Sequence, residues 1–247
     1  MAVATQSRLE RPAFYALRPG GWRDLLTLLH PPYTAWHLSY VAIGAAVAPA
    51  FALGRLAWTL AAFLLAVGVA AHALDELHGR PLQTGVSDRV LIWMAVPALC
   101  GAVAIGLYGA LAVSAGLFAF AIVGVVLTLG YNLELLGGRL HTDLWFAFAW
   151  GAFPALTAYW AQAERIDVQG VLVAGGCLLL SLAQRRLSTP VRELRRRTLA
   201  VEGSQRMADG RTIALDAKAL AAPMEAALMA CAGGLVLLAV GLVAARL

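Results

Sequence analysis

Residues 71–89, AHALDELHGRPLQTGVSDR, bring histidines, carboxylates and arginines together directly after an almost uncharged apolar stretch. On a helix, His72 lies one turn before Asp75 and Glu76, so an imidazole and carboxylates share a face at the spacing of helical metal sites. An ionisable group inside a membrane span is costly unless it is paired, solvated or liganded. The spacing therefore predicts a divalent-cation site at the end of this apolar stretch.

Further polar side chains lie at the ends of other apolar stretches, on what we expect to be the same side of a membrane. Tyr131, Asn132 and Glu134 follow one stretch, and Gln184, Arg185 and Arg186 end another. We expect these groups to meet in one cavity. The nitrogen and oxygen ligands predicted there are His72, Asp75, Glu76, His78, His141 and Asp143. Interfacial carboxylates beside arginines, and solvated loop histidines, are the simpler explanation of each residue alone.

The elements that must position these groups follow from composition. The chain is 61% hydrophobic and 13% charged, which is far from a soluble domain. A hydrocarbon core of about 30 Å needs roughly 20 apolar residues per helix, and long uninterrupted runs favour helices over a barrel. We predict an all-α polytopic membrane bundle with about seven spans. They cover residues 34–53, 56–78, 90–108, 111–135, 143–162, 168–187 and 223–245.

The basic residues predict the orientation of this bundle. Sixteen of the 19 Lys and Arg residues lie before residue 34 or near 80–89, 139 and 185–218. By the positive-inside rule, we expect an integral protein of the cell membrane with its N-terminus in the cytoplasm. Seven spans, an odd number, then place the C-terminus outside. The opening residues lack the pattern of a secretory signal.

Four segments follow along the chain. They are a cytoplasmic N-terminal segment at 1–33 with an interfacial amphipathic helix, a six-helix transmembrane core at 34–187, a basic cytoplasmic loop at 188–222 and a C-terminal transmembrane helix at 223–247. The amphipathic helix is expected in GWRDLLTLLHPP, with Pro31 and Pro32 stopping it. The net charge of +5 suits membrane lipid headgroups or phosphorylated substrates better than nucleic acid.

Three stretches share their order with a known family. LDELHGRPLQTGVSD has an acidic helix end followed by Arg80, Pro81, Leu82 and Gly85. GYNLELLGGRLHTD places a tyrosine at the end of the fourth span, and WFAFAWGAFPALTAYW is a small-residue fifth helix with Gly and Pro. Over roughly residues 34–190, the chain resembles the UbiA-type intramembrane prenyltransferase superfamily.

The resemblance implies an activity and roles for individual residues. The activity is transfer of an isoprenoid from a polyprenyl diphosphate to a lipophilic acceptor, with Mg²⁺ bridging the allylic diphosphate. The resemblance assigns the cation to Asp75, Glu76 and Asp88. Arg80 and Arg186 are expected to neutralise the anionic group, and Tyr131 with Asn132 to shape the pocket wall beside the catalytic Asp75 and Glu76.

The chain also departs from the family. The second acidic motif is replaced by QRRLSTPVRELRRR, and seven spans stand where the family usually has nine. Either Arg185, Arg186 and Arg192 take over diphosphate charge beside a single metal, or the histidine and carboxylate cluster holds a transition metal for a lipid oxidase, hydrolase or cyclase. A non-enzymatic membrane protein is the third alternative. The arginine run is also typical of a patch for anionic lipid. The acceptor, the prenyl length and the oligomeric state stay open.

Overall fold

The computed structural model describes residue 9 and residues 11–247, and this part of the chain is mostly helical. The prediction for the N-terminal segment falls partly on residues 1–8 and 10, which lie outside the described residues. The helices are α1 Trp22–Leu28, α2 Pro31–Val47, α3 Leu53–Leu77, α4 Asp88–Ala112, α5 Leu117–Asn132, α6 at 143–163, α7 Val168–Arg196 and α8 Ala217–Ala244. A short antiparallel hairpin, β1 Ser204–Arg206 with β2 Thr212–Ala214, lies between α7 and α8.

Within the described residues, α3, α4, α7 and α8 are the four helices that are long and apolar enough to cross a membrane. They indicate an integral membrane protein. The predicted count of seven is not reproduced. Helices α2 and α5 have 17 and 16 residues, fewer than the roughly 20 that a span needs. Helix α6 is rich in Trp, Tyr, Gly and Pro, which lower its hydropathy.

Several boundaries differ from the predicted ones because hydropathy marks where apolar residues end and not where a helix ends. Helix α7 continues through residues 188–196, which the sequence predicts as loop, and α8 begins at Ala217. The Asp216 side chain caps α8 by accepting a hydrogen bond from the Ala219 amide at 2.7 Å. Pro31 and Pro32, predicted to stop α1, lie just after its end at Leu28 and also open α2 in its first turn.

Two helices contain π-helical turns, which leave backbone carbonyls free for side-chain donors. The turns cover Leu64–Ala71 in α3 and Phe148–Ala152 in α6. Close helix crossings surround them. A Cβ atom at Gly44 would lie 2.1 Å from the Ala155 carbonyl oxygen, and one at Gly151 would lie 2.6 Å from that of Cys177. Small residues therefore set the spacing of α2, α6 and α7.

The predicted amphipathic helix exists as α1, with Trp22 and Leu25 exposed. Asp24 joins α1 to the loop after α3, because its carboxylate accepts hydrogen bonds from the Gly20 amide at 3.0 Å and the Gly85 amide at 3.1 Å. This contact fixes α1 beside the end of α3, where the polar residues of the opening motif lie.

Candidate functional site

One polar cavity, of about 500 Å³, collects side chains from α2, α3, α5, α6 and α7 and from the segment at 12–15. The sequence-predicted residues that line it are His72, Asp75, His78, Tyr131, Asn132, Glu134, His141, Gln184, Arg185 and Arg192. Helices α3, α5 and α7 end on this side of the bundle, and helices α2 and α6 begin here. The remaining predicted residues, Glu76, Arg80, Asp88, Asp143 and Arg186, are absent from its lining.

Glu76 faces away from the cavity and organises the loop that follows α3. Its side chain is 0% exposed. The carboxylate accepts hydrogen bonds from the Leu82 amide at 2.9 Å, the Thr84 amide at 2.8 Å and the Thr84 hydroxyl at 2.9 Å. Both oxygens are thus engaged by the protein itself, so the structure gives Glu76 an anchoring position and separates it from Asp75.

Arg80 and Asp88 form an ion pair with each other outside the cavity. Arg80 also donates a hydrogen bond to the Val86 carbonyl oxygen, and the Asp88 side chain is 68% exposed. The two residues close the loop between α3 and α4. In the segment that carries the family resemblance, the loop from Arg80 to Asp88 is therefore folded on itself beside the cavity.

Asp143 positions one of the predicted arginines. Its carboxylate accepts a hydrogen bond from Arg185 Nε at 3.0 Å, and the Arg185 guanidinium also lies 5.2 Å from the centre of the Phe146 ring. Arg186 lies 3.8 Å from the same carboxylate with its side chain 74% exposed. Asp143 therefore holds Arg185 at the cavity wall, while Arg186 points elsewhere.

Three cavity histidines are oriented by backbone carbonyls. The Nδ1 atoms of His37, His72 and His141 lie 2.8, 3.2 and 3.3 Å from the carbonyl oxygens of Trp150, Gly68 and Tyr131, respectively. A carbonyl only accepts, so Nδ1 carries the hydrogen and Nε2 of the neutral ring is an acceptor. Gly68 and Trp150 lie in the π-helical turns, which no hydropathy pattern reveals. His37 also lines the cavity.

A short segment at 11–16 borders the cavity. The Tyr15 hydroxyl lies 2.6 Å from His30 Nδ1, and the His30 ring stacks on His72 at 4.2 Å. Arg196 Nε donates to the Pro12 carbonyl oxygen at 3.1 Å, and Arg195 Nη1 donates to that of Arg11 at the same distance. Burial, followed by the neighbouring His72, lowers the pKa of His30 well below its usual value.

The arginines on the last turns of α7 supply positive charge to the cavity. Arg192 donates to the Thr189 hydroxyl at 3.0 Å and has no carboxylate within 4.0 Å in the described chain. Arg196 and Arg197 also line the cavity. Arg196 and Arg197 were not predicted as cavity residues, because the apolar stretch ends at residue 187 and the predicted helix ended with it. The RELRRR run, continued as a helix, could have indicated them.

The cavity is a poor match to a preformed metal cage. Among the described residues, no group of three His, Cys, Asp or Glu side chains is close enough to hold a metal ion. Asp75 lines the cavity without a side-chain hydrogen bond or ion pair in the described chain. Mg²⁺ is usually held by one or two carboxylates together with substrate phosphates. Asp75 is thus one carboxylate that a cation arriving with a ligand could use, and the described residues do not assemble the predicted transition-metal cluster.

An apolar cavity adjoins the polar one. It lies between α3, α4, α5 and α6, with Ala66, Leu99 and Phe120 among its lining residues, and it shares Val67 and Trp150 with the polar cavity. Val67 and Trp150 therefore form part of the wall of both the polar and the apolar cavity.

No protein-family model matches the chain, and no curated protein or solved structure matches it either.

Proposed function

We propose that the protein is a UbiA-like, membrane-embedded prenyltransferase that moves an isoprenoid from a polyprenyl diphosphate to a lipophilic acceptor. The observation that carries this proposal is that Asp75 and Arg192 line one cavity and that neither has an ion-pair partner within 4.0 Å in the described chain. A ligand with anionic oxygens and a bound cation would satisfy both.

Arginines take the place of the missing second acidic motif in this proposal. Guanidinium groups bind phosphate oxygens bidentately and keep their charge at all physiological pH values. Arg185 and Arg192 line the cavity, with Arg196 at the end of α7 and Arg197 directly after it. Together they would bind the diphosphate and stabilise the negative charge that develops when it leaves.

Asp75 would hold Mg²⁺ against the same diphosphate. The cation, when bound, would neutralise part of the charge on the leaving group. In the transfer, the bond between the allylic carbon and its bridging oxygen breaks, and inorganic diphosphate leaves with the bonding electrons. The carbon bonds to the acceptor, which releases a proton to water at the cavity mouth.

The apolar cavity supports an isoprenoid substrate over a water-soluble one. A chain attached to a diphosphate in the polar cavity would pass Val67 and Trp150 and bury its methyl groups between α3 and α5. Burial of each CH₂ group contributes about 0.8 kcal/mol. We place the polar cavity at the cytoplasmic face together with the N-terminus, because the arginines of α7 border it. The C-terminus would then lie outside, since Arg246, after α8, donates to the Ala48 carbonyl oxygen at the end of α2 that is opposite the cavity.

The test measures release of inorganic diphosphate from farnesyl diphosphate by the purified protein in detergent, with a lipid extract supplying acceptors. We expect Asp75→Asn and Arg192→Gln each to lower turnover by about 100-fold or more, and removal of Mg²⁺ by EDTA to do the same. Arg186→Gln is the matched control, because it removes an exposed guanidinium outside the cavity. Turnover that survives both substitutions and EDTA contradicts the proposal.

A further inference from the structure

Helix α1 turns its polar residues towards the protein and its apolar residues away from it. Trp22, Leu25 and Leu26 are 64%, 40% and 42% exposed, and their spacing of three and four residues places them on one face of the helix. Asp24 and Thr27, on the other side, are 7% and 5% exposed. A helix on the surface of a soluble domain normally has the reverse arrangement. The exposed face of α1 therefore lacks an apolar partner in the described chain.

Hydrogen bonds fix this orientation of α1. The Asp24 carboxylate accepts from the amides of Gly20 and Gly85, and the Thr27 hydroxyl accepts from the Leu17 amide at 3.0 Å. A rotation that buried the apolar face would break all three bonds and leave a carboxylate and backbone amides unpaired. The polar side of the helix thus holds the apolar side outward, so the exposure belongs to the fold.

The packing of α1 places it at the level of a membrane interface. Leu28, which is 0% exposed, packs against the end of α3 and the beginning of α4, where its neighbours are Ala73, Leu91 and Ala95. Both helices are long and apolar enough to cross a membrane. Trp93 lies between Leu91 and Ala95 along α4 and is 72% exposed, and tryptophan is enriched where a membrane meets water. Helix α1 therefore lies at the depth where lipid headgroups meet acyl chains.

Three arginines border the apolar face of α1. They are exposed, and no carboxylate lies within 4.0 Å of them in the described chain; they are Arg18, Arg23 and Arg89. The Arg23 guanidinium lies 6.0 Å from the centre of the Trp22 ring. Asp88, next to Arg89, is already paired with Arg80. Basic side chains beside an exposed apolar face complement a surface that is anionic outside and apolar beneath.

We propose that α1 inserts its exposed face into the leaflet on the side of the polar cavity and binds anionic phospholipid there. Trp22, Leu25 and Leu26 contact the upper acyl chains, and the bordering arginines contact the headgroups. A protein partner fits less well, because a specific interface uses about 20–30 residues on each side, whereas α1 has 7 residues. The proposal depends on the membrane location of the bundle and not on the proposed function.

The experiment measures how lipids brominated on the upper acyl chain quench the fluorescence of Trp22. The protein is reconstituted, one copy per nanodisc, in phosphatidylcholine with the same fraction of either brominated phosphatidylglycerol or brominated phosphatidylcholine. The Trp22 signal is the difference between the wild-type protein and Trp22→Phe. A basic residue close to an anionic membrane contributes about fivefold in affinity. We therefore expect the brominated phosphatidylglycerol to quench Trp22 at least about twofold more than the brominated phosphatidylcholine.

Charge variants separate this surface from net charge. One triple variant removes the arginines beside α1, by Arg18→Gln, Arg23→Gln and Arg89→Gln. Both brominated lipids should then quench Trp22 equally, because the apolar side chains remain in the membrane. The matched control removes three exposed arginines from other elements, by Arg139→Gln, Arg186→Gln and Arg206→Gln. It should keep the preference for phosphatidylglycerol, whereas about 1 M salt, at which the Debye length is about 3 Å, should weaken it in the wild-type protein.

Four results would overturn the lipid surface. Quenching of Trp22 by neither lipid would mean that this face lies in water or beneath protein. Equal quenching by both lipids in the wild-type protein would exclude selection of anionic headgroups. A preference that the matched control loses as well would assign it to net charge. A melting temperature in detergent that falls in Trp22→Phe as far as in Gly44→Ala, whose Cβ would lie 2.1 Å from a backbone oxygen, would show that Trp22 packs against protein.

Discussion

Asp75 and Glu76 are neighbours in the chain and have different surroundings in the structure. One residue along an α-helix rotates a side chain by about 100°, which turns Asp75 to the polar cavity and Glu76 to the amides of Leu82 and Thr84. Carboxylate type and spacing predict both as cation ligands, and they do not reveal which one the next loop folds around. For Asp75 the role stays a prediction.

The two carboxylates should respond differently to amidation. Glu76→Gln places an NH₂ group against the Leu82 or Thr84 amide, so we expect a loss of about 1–3 kcal/mol in the free energy of unfolding. Asp75→Asn breaks no hydrogen bond in the described chain and should leave stability nearly unchanged. Thermal unfolding of both variants in the same detergent checks this, and equal melting temperatures would contradict the anchoring position of Glu76.

His30 gives the fold a dependence on pH. The folded pKa of His30 lies well below the unfolded value of about 6.5 because of burial and then His72. The native state therefore favours the neutral ring. Its contribution to stability is complete above pH 6.5 and is lost as the pH falls towards the folded pKa, by up to about 1.4 kcal/mol per pH unit. The groups that face His30 are His37, His72, Tyr15, Tyr33, Arg192 and Arg196.

The measurement is the melting temperature of the wild-type protein and of His30→Phe between pH 8 and pH 5. We expect the wild-type value to fall more steeply below pH 6.5 than the variant value, because only the wild-type chain gains a proton at residue 30 on unfolding. The other histidines are common to both proteins and cancel in the difference. Parallel curves would exclude His30 as the source.

Helix α7 is longer than its apolar stretch, and this length creates the basic wall of the polar cavity. Pro190 lacks an N–H and sits inside the helix. The Thr189 hydroxyl one residue earlier donates to the Arg185 carbonyl oxygen at 2.9 Å. The helix nevertheless continues to Arg196, so that Arg192 and Arg196, which follow the proline, are held in helical order beside the cavity.

The crossing of α2 and α6 depends on the absence of a side chain at Gly44. A Cβ atom there would lie 2.1 Å from a backbone oxygen of Ala155, and a backbone atom cannot turn away. We expect Gly44→Ala to cost about 1–3 kcal/mol or more of stability. Gly175→Ala is the matched control, because nothing lies within 4 Å of a Cβ at that position. Thermal unfolding should separate the two, and equal stability would contradict this helix spacing.

At the scale of the whole molecule, composition predicted a helical membrane protein. The polar residues at helix ends predicted part of the cavity lining. Apolar runs indicated membrane helices, and four such helices are present among the described residues. The count of seven was too high because α2 and α5 are apolar without being long enough, and α6 is long without being apolar enough. Polar residues at successive helix ends were expected together, and His72, Asp75 and Asn132 do line one cavity. The helix extension past Pro190 and the π-helical turns depend on tertiary packing, which no single stretch of sequence contains.

The arginines beside the segment at 11–16 have a consequence for how anions reach the molecule. Arg192 and Arg196 donate to a hydroxyl and to the Pro12 carbonyl, and neither partner carries a countercharge. Their hydrogen bonds fix geometry while the electrostatic potential at the rim stays positive. Attraction of the proposed diphosphate from a distance would thus be a Coulombic step that added salt screens, whereas retention of its hydrocarbon tail beyond Trp150 would be indifferent to such screening.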